Sequence, residues 1–177
     1  MNRTQREHIL RAAAAITGTD EFVVVGSQAV LGQFPHPPQE LLASMEADVF
    51  SLRSPNDAEL IDGSIGEASP FHRAFGYFAH GVGEETAILP SGWRSRLVPL
   101  TSPATGGATG WCLEVHDLAV SKLAAGRPKD VEYVRVLLAH RLVSADTLRA
   151  RLSQTPLSAE IASAAADRLN RLAKDHN

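Results

Sequence analysis

Apolar positions recur with helical spacing at the start of the chain. From Thr4 to Ile16, the side chains Ile9, Leu10, Ala13, Ala14 and Ile16 are spaced for one face with charge between them, and Gly18 follows where a helix is expected to end. The pattern predicts a first amphipathic helix. It then changes, because Phe22-Val23-Val24-Val25 is a continuous apolar, largely β-branched run stopped by Gly26-Ser27, which reads as a buried strand entering a tight turn. Gln28 to Gln33 reads as helix up to the loop Pro35-His36-Pro37-Pro38. Ala47-Asp48-Val49-Phe50-Ser51-Leu52 alternates apolar and polar side chains and predicts a second strand; Arg53-Ser54-Pro55-Asn56 then opens a helix to about Gly63.

The stretch from Gly63 to Gly110 is rich in Gly and Pro, with strand candidates at Ala74 to Ala79 and Trp93 to Leu100 and a flexible loop at Ser102 to Gly110. From Cys112 onward the pattern is helical. One helix is predicted from Val115 to Ala125, and Pro128, after the break at Gly126-Arg127, stands at the first position of a second that runs to His140. Two more follow, Ala145 to Leu152 and Ser158 to Lys174. Strands early and helices late predict an α+β fold in one domain, with an α/β part at about 1–112 and a helical part at about 113–177.

The 177 residues, 44% apolar and 21% charged, match a single globular domain and exclude a disordered or fibrous chain. No apolar run approaches the ~20 residues of a membrane helix, and the N-terminal stretch is amphipathic, so the expected location is cytoplasmic with no membrane partner. The lone Cys112 excludes an internal disulfide and a cysteine-rich zinc site. Formal charge is uneven, −7 over residues 1–119 and +4 over 120–177. That asymmetry suits a metal site facing a phosphate-rich partner, though one of this size more often reflects solvated helix faces.

Gly26-Ser27, between a buried strand and a helix, is the first place where chemistry is expected: glycine admits a ligand close to the backbone, and a helix start offers unpaired amides to an anion such as a triphosphate. The plainer role of such a turn is to cap the helix. About 20 residues later, Glu46 and Asp48 lie two apart at a strand start and so point to one face. Two carboxylates held close repel unless a cation lies between them, and Mg²⁺ favours one or two carboxylates plus phosphate oxygens. An exposed polar strand face is the alternative. In the third cluster, Lys122 sits in a mostly apolar helix, where it either snorkels to solvent or meets phosphate; Arg127 and Lys129 crowd the turn that follows, and Asp130 occupies the next helix's first turn.

Taken in order, the glycine-serine turn Gly26-Ser27, the Glu46-x-Asp48 strand and the late Lys122-Leu-Ala-Ala-Gly-Arg127-Pro-Lys129-Asp130 stretch resemble the nucleotidyltransferase superfamily with the DNA polymerase β-like core. Within it they resemble the minimal AbiEii-like group that includes toxin nucleotidyltransferases. The similarity spans residues 22 to about 138. It implies a mixed sheet flanked by helices and transfer of a nucleoside monophosphate from an NTP to an acceptor hydroxyl. The acceptor could be a tRNA 3′ end and the protein the toxin of a toxin–antitoxin pair, with a cognate antitoxin as partner. By the same resemblance Gly26, Ser27, Lys122 and Arg127 would bind nucleotide, Glu46 and Asp48 would bind Mg²⁺ or Mn²⁺, and Asp130 would support Lys122 as an acid.

The sequence departs from that pattern in two ways. The first metal carboxylate is Glu where many relatives have Asp, and no third carboxylate strand follows, since Tyr77-Phe78-Ala79-His80-Gly81-Val82 carries His80 where an acid is expected. These departures keep open a non-catalytic nucleotide-binding or antitoxin-like protein with a degenerate site, and, ranked after it, a metal-dependent nuclease. Several conspicuous residues have plainer readings: His36 as an exposed loop residue, Trp93 and Trp111 as packing residues, and His72 with His80 as a pair whose spacing fits no usual metal pattern. Arg94 and Arg96 alternate on a predicted strand; lining a phosphate groove is the rarer role for such a pair, after the plain one. Ser27 and His116 form no hydrolase pair, because no Gly-x-Ser-x-Gly surrounds Ser27.

Overall fold

In the computed structural model, which describes residues 1–54 and 56–174, the strand Glu21–Val24 (β1) is the centre of a five-stranded mixed sheet. Its neighbours are β2 (Glu46–Ser51), antiparallel to it, and β5 (Thr109–Cys112), parallel to it. Beyond them lie β3 (Phe78–Gly81), parallel to β2, and β4 (Val98–Leu100), antiparallel to β5, so the order is β3-β2-β1-β5-β4. A central strand buried on both faces requires an unbroken apolar run, and Phe22, Val23 and Val24 supply one, each fully buried.

The chain divides into two compact units. The first joins Met1–Thr86 to Leu97–Leu113 and holds the sheet; the second joins Ala87–Arg96 to the helical remainder from Glu114. In the sheet unit, helix α1 (Arg3–Thr17) starts on a capping box between Asn2 and Gln5 and ends at Gly18. Its Leu10 lies so close over β5 that a Cβ at Gly110 would come within 2.7 Å of Leu10 Cδ1. Helix α2 (Asp57–Ile65) packs on β2, β3 and α1 through its buried Ile61 and Ile65. The residue Pro55, with which the sequence pattern opens this helix, lies outside the described residues.

The helical unit holds α4 (Val115–Ala125), α5 (Pro128–Ala139), α6 (Ala145–Ser153) and α7 (Ala159–Lys174). Leu118, Ala119, Val120 and Leu123 are all buried, and α4 packs against the other three helices. Its start is fixed by Glu114, whose side chain accepts from the backbone N–H groups of His116 and Asp117. His116 extends this cap to a second helix: Nδ1 lies 2.7 Å from Glu114 Oε1, and Nε2 accepts from the N–H of Ser144, the N-cap of α6. Those bonds require the proton on Nδ1. Fully buried Asp117 receives a two-pronged hydrogen bond from Arg96 at 2.8 and 3.1 Å, with Arg151 at 3.7 Å.

The helix expected at Gln28 to Gln33 is present as a 3-10 helix, Ser27–Gly32, with Gln33 as its C-cap, and three other local expectations are corrected. Ala74 and Phe75 are not strand: they end α3 (Pro70–Phe75), whose N-cap is Ser69 and whose C-cap is Gly76, and the strand begins only at Phe78. Trp93–Arg96 is likewise a 3-10 turn ahead of β4, so Arg94 and Arg96 do not alternate on a strand; Arg96 instead holds Asp117, and Arg94 lies over the Trp93 ring. Finally, Thr109 and Gly110 leave the predicted loop for β5, because pairing with β1, almost 90 residues away, satisfies backbone groups that a local reading leaves open.

Because Phe22 is fully buried in the central strand, Phe22→Ala is expected to lower unfolding stability by about 3–5 kcal/mol. Urea unfolding followed by circular dichroism measures the change.

Candidate functional site

Backbone pairing builds the site in the sheet unit. The β1–β2 register sets Val24 opposite Val49, and the ladder continues one step further, where the Val25 N–H donates to the Asp48 carbonyl at 3.0 Å. The next residue of the β1 side, Gly26, therefore lies directly against the Asp48 side chain. Its φ of +66° is in the left-handed region, and a Cβ there would fall 1.9 Å from Asp48 Oδ2. Two independent constraints thus require glycine, one from backbone conformation and one from space. A second tie holds the same parts together: buried Gln28 donates through Nε2 to the Ser44 carbonyl, two residues before β2.

Glu46 and Asp48 occupy alternate positions of β2 and so share a face. The parallel neighbour β3 sets His80 opposite Asp48. Its Nδ1 lies 3.2 Å from Glu46 Oε1 and 3.4 Å from Asp48 Oδ1, and ligand atoms of the three residues all lie within 4.8 Å of one another. Asp48 is the most enclosed, with its side chain 24% exposed against 41% for Glu46 and 49% for His80. A pocket of about 360 Å³ opens beside them, lined by Glu46, Asp62, Glu67, Phe78 and His80. Asp62 is fixed there by accepting from the Gly81 N–H at 2.8 Å.

The electrostatics follow from this crowding. Burial pushes the Asp48 carboxyl from its ordinary 3.8 up to about 6, the neighbouring Glu46 carboxyl adds to the rise, and His80 opposes it. For His80, burial lowers the pKa, but Asp62, Glu46 and Asp48 together outweigh it and the net shift is upward. A divalent cation meets both demands at once, since it replaces carboxylate repulsion by attraction. Two carboxylate oxygens and one imidazole nitrogen converging on a small volume, beside a backbone stripped to glycine, fit such an ion.

The late cluster is organised within the helical unit. Buried Lys122 on α4 donates to Asp130 Oδ1 at 3.0 Å and lies 4.5 Å from the centre of the Tyr133 ring. Arg127 donates to the same carboxylate through Nε and Nη2. Burial alone would raise the pKa of Asp130, yet the hydrogen bond from Arg127 and the charge of Lys122 bring it below the ordinary carboxylate value. Lys129 is exposed. The sequence-derived residues therefore gather as two sets, Gly26, Ser27, Glu46 and Asp48 in one unit and Lys122, Arg127 and Asp130 in the other.

The remaining candidates fall to their plainer readings. His36 is exposed. His72 Nδ1 accepts from the Ala68 N–H and its ring packs on Phe78, while His80 sides with the carboxylates. Trp111 donates to Glu21 on the adjacent strand, and His116 is occupied by Glu114 and Ser144. The addition that sequence reasoning missed is His80 as a member of the acidic pair's own group. The signal was present, because His80 stands on a short strand where a carboxylate was expected.

The mixed sheet thus presents paired carboxylates beside a glycine-serine turn. The chain belongs to the family described as "Nucleotidyltransferase of unknown function (DUF6036)", which matches residues 7–173. No curated protein and no solved structure matches it. Among the described residues no helix is long and apolar enough to cross a membrane.

A carboxyl whose folded-state pKa lies above its unfolded value binds its proton more tightly when folded. Its stabilising contribution is present below the unfolded pKa and is lost as pH rises through the folded one, here from about 3.8 to about 6. Asp48→Asn is therefore expected to raise the Tm of metal-free protein at pH 7.5, by an amount that shrinks as pH falls toward 4. Thermal melts in chelator across that range measure it.

Proposed function

We propose that this chain is a divalent-metal-dependent nucleotidyltransferase that moves a nucleoside monophosphate from an NTP to an acceptor hydroxyl and releases pyrophosphate. The observation that carries this reading is the convergence of Glu46 and Asp48 next to Gly26 in a chain of a nucleotidyltransferase family. Glu46 and Asp48 would hold the metal. When bound, it supplies positive charge to the reacting phosphate and lowers the cost of charge build-up in the transition state.

The protein's own residues supply the rest. The β1–β2 ladder holds the Asp48 backbone, and Gly26, having no side chain, lets the Asp48 carboxylate lie against the turn that leads into Ser27. Rigid placement is the main requirement in phosphoryl transfer, which proceeds chiefly by orientation and charge stabilisation. By the resemblance alone Lys122 and Arg127 would be cations for the triphosphate; within their own unit both donate to Asp130. The excess of positive charge over residues 120–177 favours a nucleic-acid acceptor, and the resemblance to AbiEii-like toxins points to a tRNA 3′ end and to an antitoxin partner. Mg²⁺ is the metal that this resemblance implies.

A second reading, nucleotide binding without turnover, is favoured by one observation: the position next to Asp48 on β3 carries His80 and not a third carboxylate. Incubation with each labelled NTP, a divalent ion and total cellular RNA separates the two. Transfer predicts labelled RNA and pyrophosphate; binding alone predicts neither, and shortened RNA would point to a nuclease.

Asp48→Ala is expected to abolish labelling in that assay while leaving the circular dichroism spectrum unchanged, because it removes a ligand and no core volume. Lys122→Ala is expected to weaken NTP binding by about tenfold or more, in line with loss of a charge-assisted phosphate contact. Since Lys122 also neutralises buried Asp130, its Tm is to be measured beside nucleotide titration calorimetry; unchanged affinity with lowered Tm would assign Lys122 a purely structural role.

A further inference from the structure

The β2–β3 register gives the Glu46–Asp48 pair a nitrogen donor. We propose that His80 is the third ligand of that metal site, and that its imidazole makes the site prefer a first-row transition ion such as Mn²⁺ over Mg²⁺. This inference rests on the reading that Glu46 and Asp48 hold a metal, and it names the ion class that the site takes.

Three observations carry it. His80 Nδ1 already stands within 3.4 Å of an oxygen of each carboxylate, and the donor atoms of the three residues span no more than 4.8 Å. The backbone register, not a flexible loop, puts the ring there, since β3 pairs with β2 over four residues and Asp48 faces His80. Gly26 closes the other side without a side chain, so that Asp48 Oδ2 has bare backbone in front of it. Ligating histidines are commonly steadied by a nearby carboxylate, and Asp62, itself anchored to the Gly81 N–H, lines the same pocket.

The donor set then selects the ion. Mg²⁺ is small and hard, binds oxygen ligands in near-octahedral geometry and gives up water reluctantly. An imidazole nitrogen offers it little, whereas affinity for nitrogen-containing sites rises along the first-row series from Mn²⁺ onward.

The test uses the full chain with Mn²⁺ and Mg²⁺ alone, without nucleotide. Pulsed electron paramagnetic resonance of the Mn²⁺-loaded protein is expected to show ¹⁴N modulation from a directly bound imidazole. His80→Asp should abolish that modulation while Mn²⁺ still binds, and calorimetry should show the Mn²⁺ to Mg²⁺ affinity ratio falling by about tenfold or more. His80→Gln, a neutral change at a half-exposed position, serves as the second variant, with thermal melts confirming that each is folded. The proposal is overturned by absence of Mn²⁺ binding, by absence of ¹⁴N modulation in the wild type, by modulation that persists in both variants, or by equal wild-type affinity for the two ions. Labelled-NTP transfer measured in parallel keeps this apart from the catalytic reading. Transfer without nitrogen coupling overturns the ligand assignment alone, and nitrogen coupling without transfer supports the assignment while counting against the transferase.

Discussion

One backbone hydrogen bond, from the Val25 N–H to the Asp48 carbonyl, sets the geometry on which the site depends. It prolongs the β1–β2 ladder to the point where β1 turns away, and so fixes the Gly26 turn against the carboxylate of a residue 22 positions later in the chain. A slip of one residue in that register would carry Asp48 to the opposite face of the sheet. The buried run Phe22-Val23-Val24 resists such a slip, because every one of its side chains is packed. Precision at the site is therefore inherited from the apolar centre of the sheet.

The two clusters use charge differently. At Asp130 the negative group is buried with its cations already in place, and the hydrogen bonds from Arg127 and Lys122 stabilise the ionised form. At Asp48 burial and Glu46 both work against ionisation, and half-exposed His80 only partly relieves them. The first arrangement is satisfied by the protein alone. The second leaves carboxylates facing one another in a partly buried place, an interaction that an added cation would relieve.

The elements most legible in the sequence were those whose cause is local. Helix α1, the strand at Phe22, the acidic strand at Glu46 and Asp48, and the Pro128 start of α5 each carry their signal in side-chain spacing or in a capping residue. The middle of the chain was harder because its structure depends on distant pairing. Thr109-Gly110 becomes strand only because β1 offers it a partner, and Trp93–Arg96 forms a turn whose arginine is drawn to Asp117. The helix at Pro70 shows a different failure: Ser69, Pro70 and Gly76 signal its two ends, but the aromatic residues from Phe75 to Phe78 suggested β structure. For the site, the carboxylate pair was visible from a spacing of two. His80 was visible only as a departure from an expected acidic strand; that it faces Asp48 follows from the β2–β3 pairing, which leaves no mark in either strand taken singly.

The position of β3 at the border of the sheet has an evolutionary consequence. Glu46 and Asp48 stand on a strand hemmed in by neighbours on both sides, whereas His80 stands on one with a single neighbour among the described strands. Replacing it would disturb little packing, since half of its side chain already faces solvent. A single substitution at this border position would therefore change the donor set proposed for the site and leave the inner strand as it is.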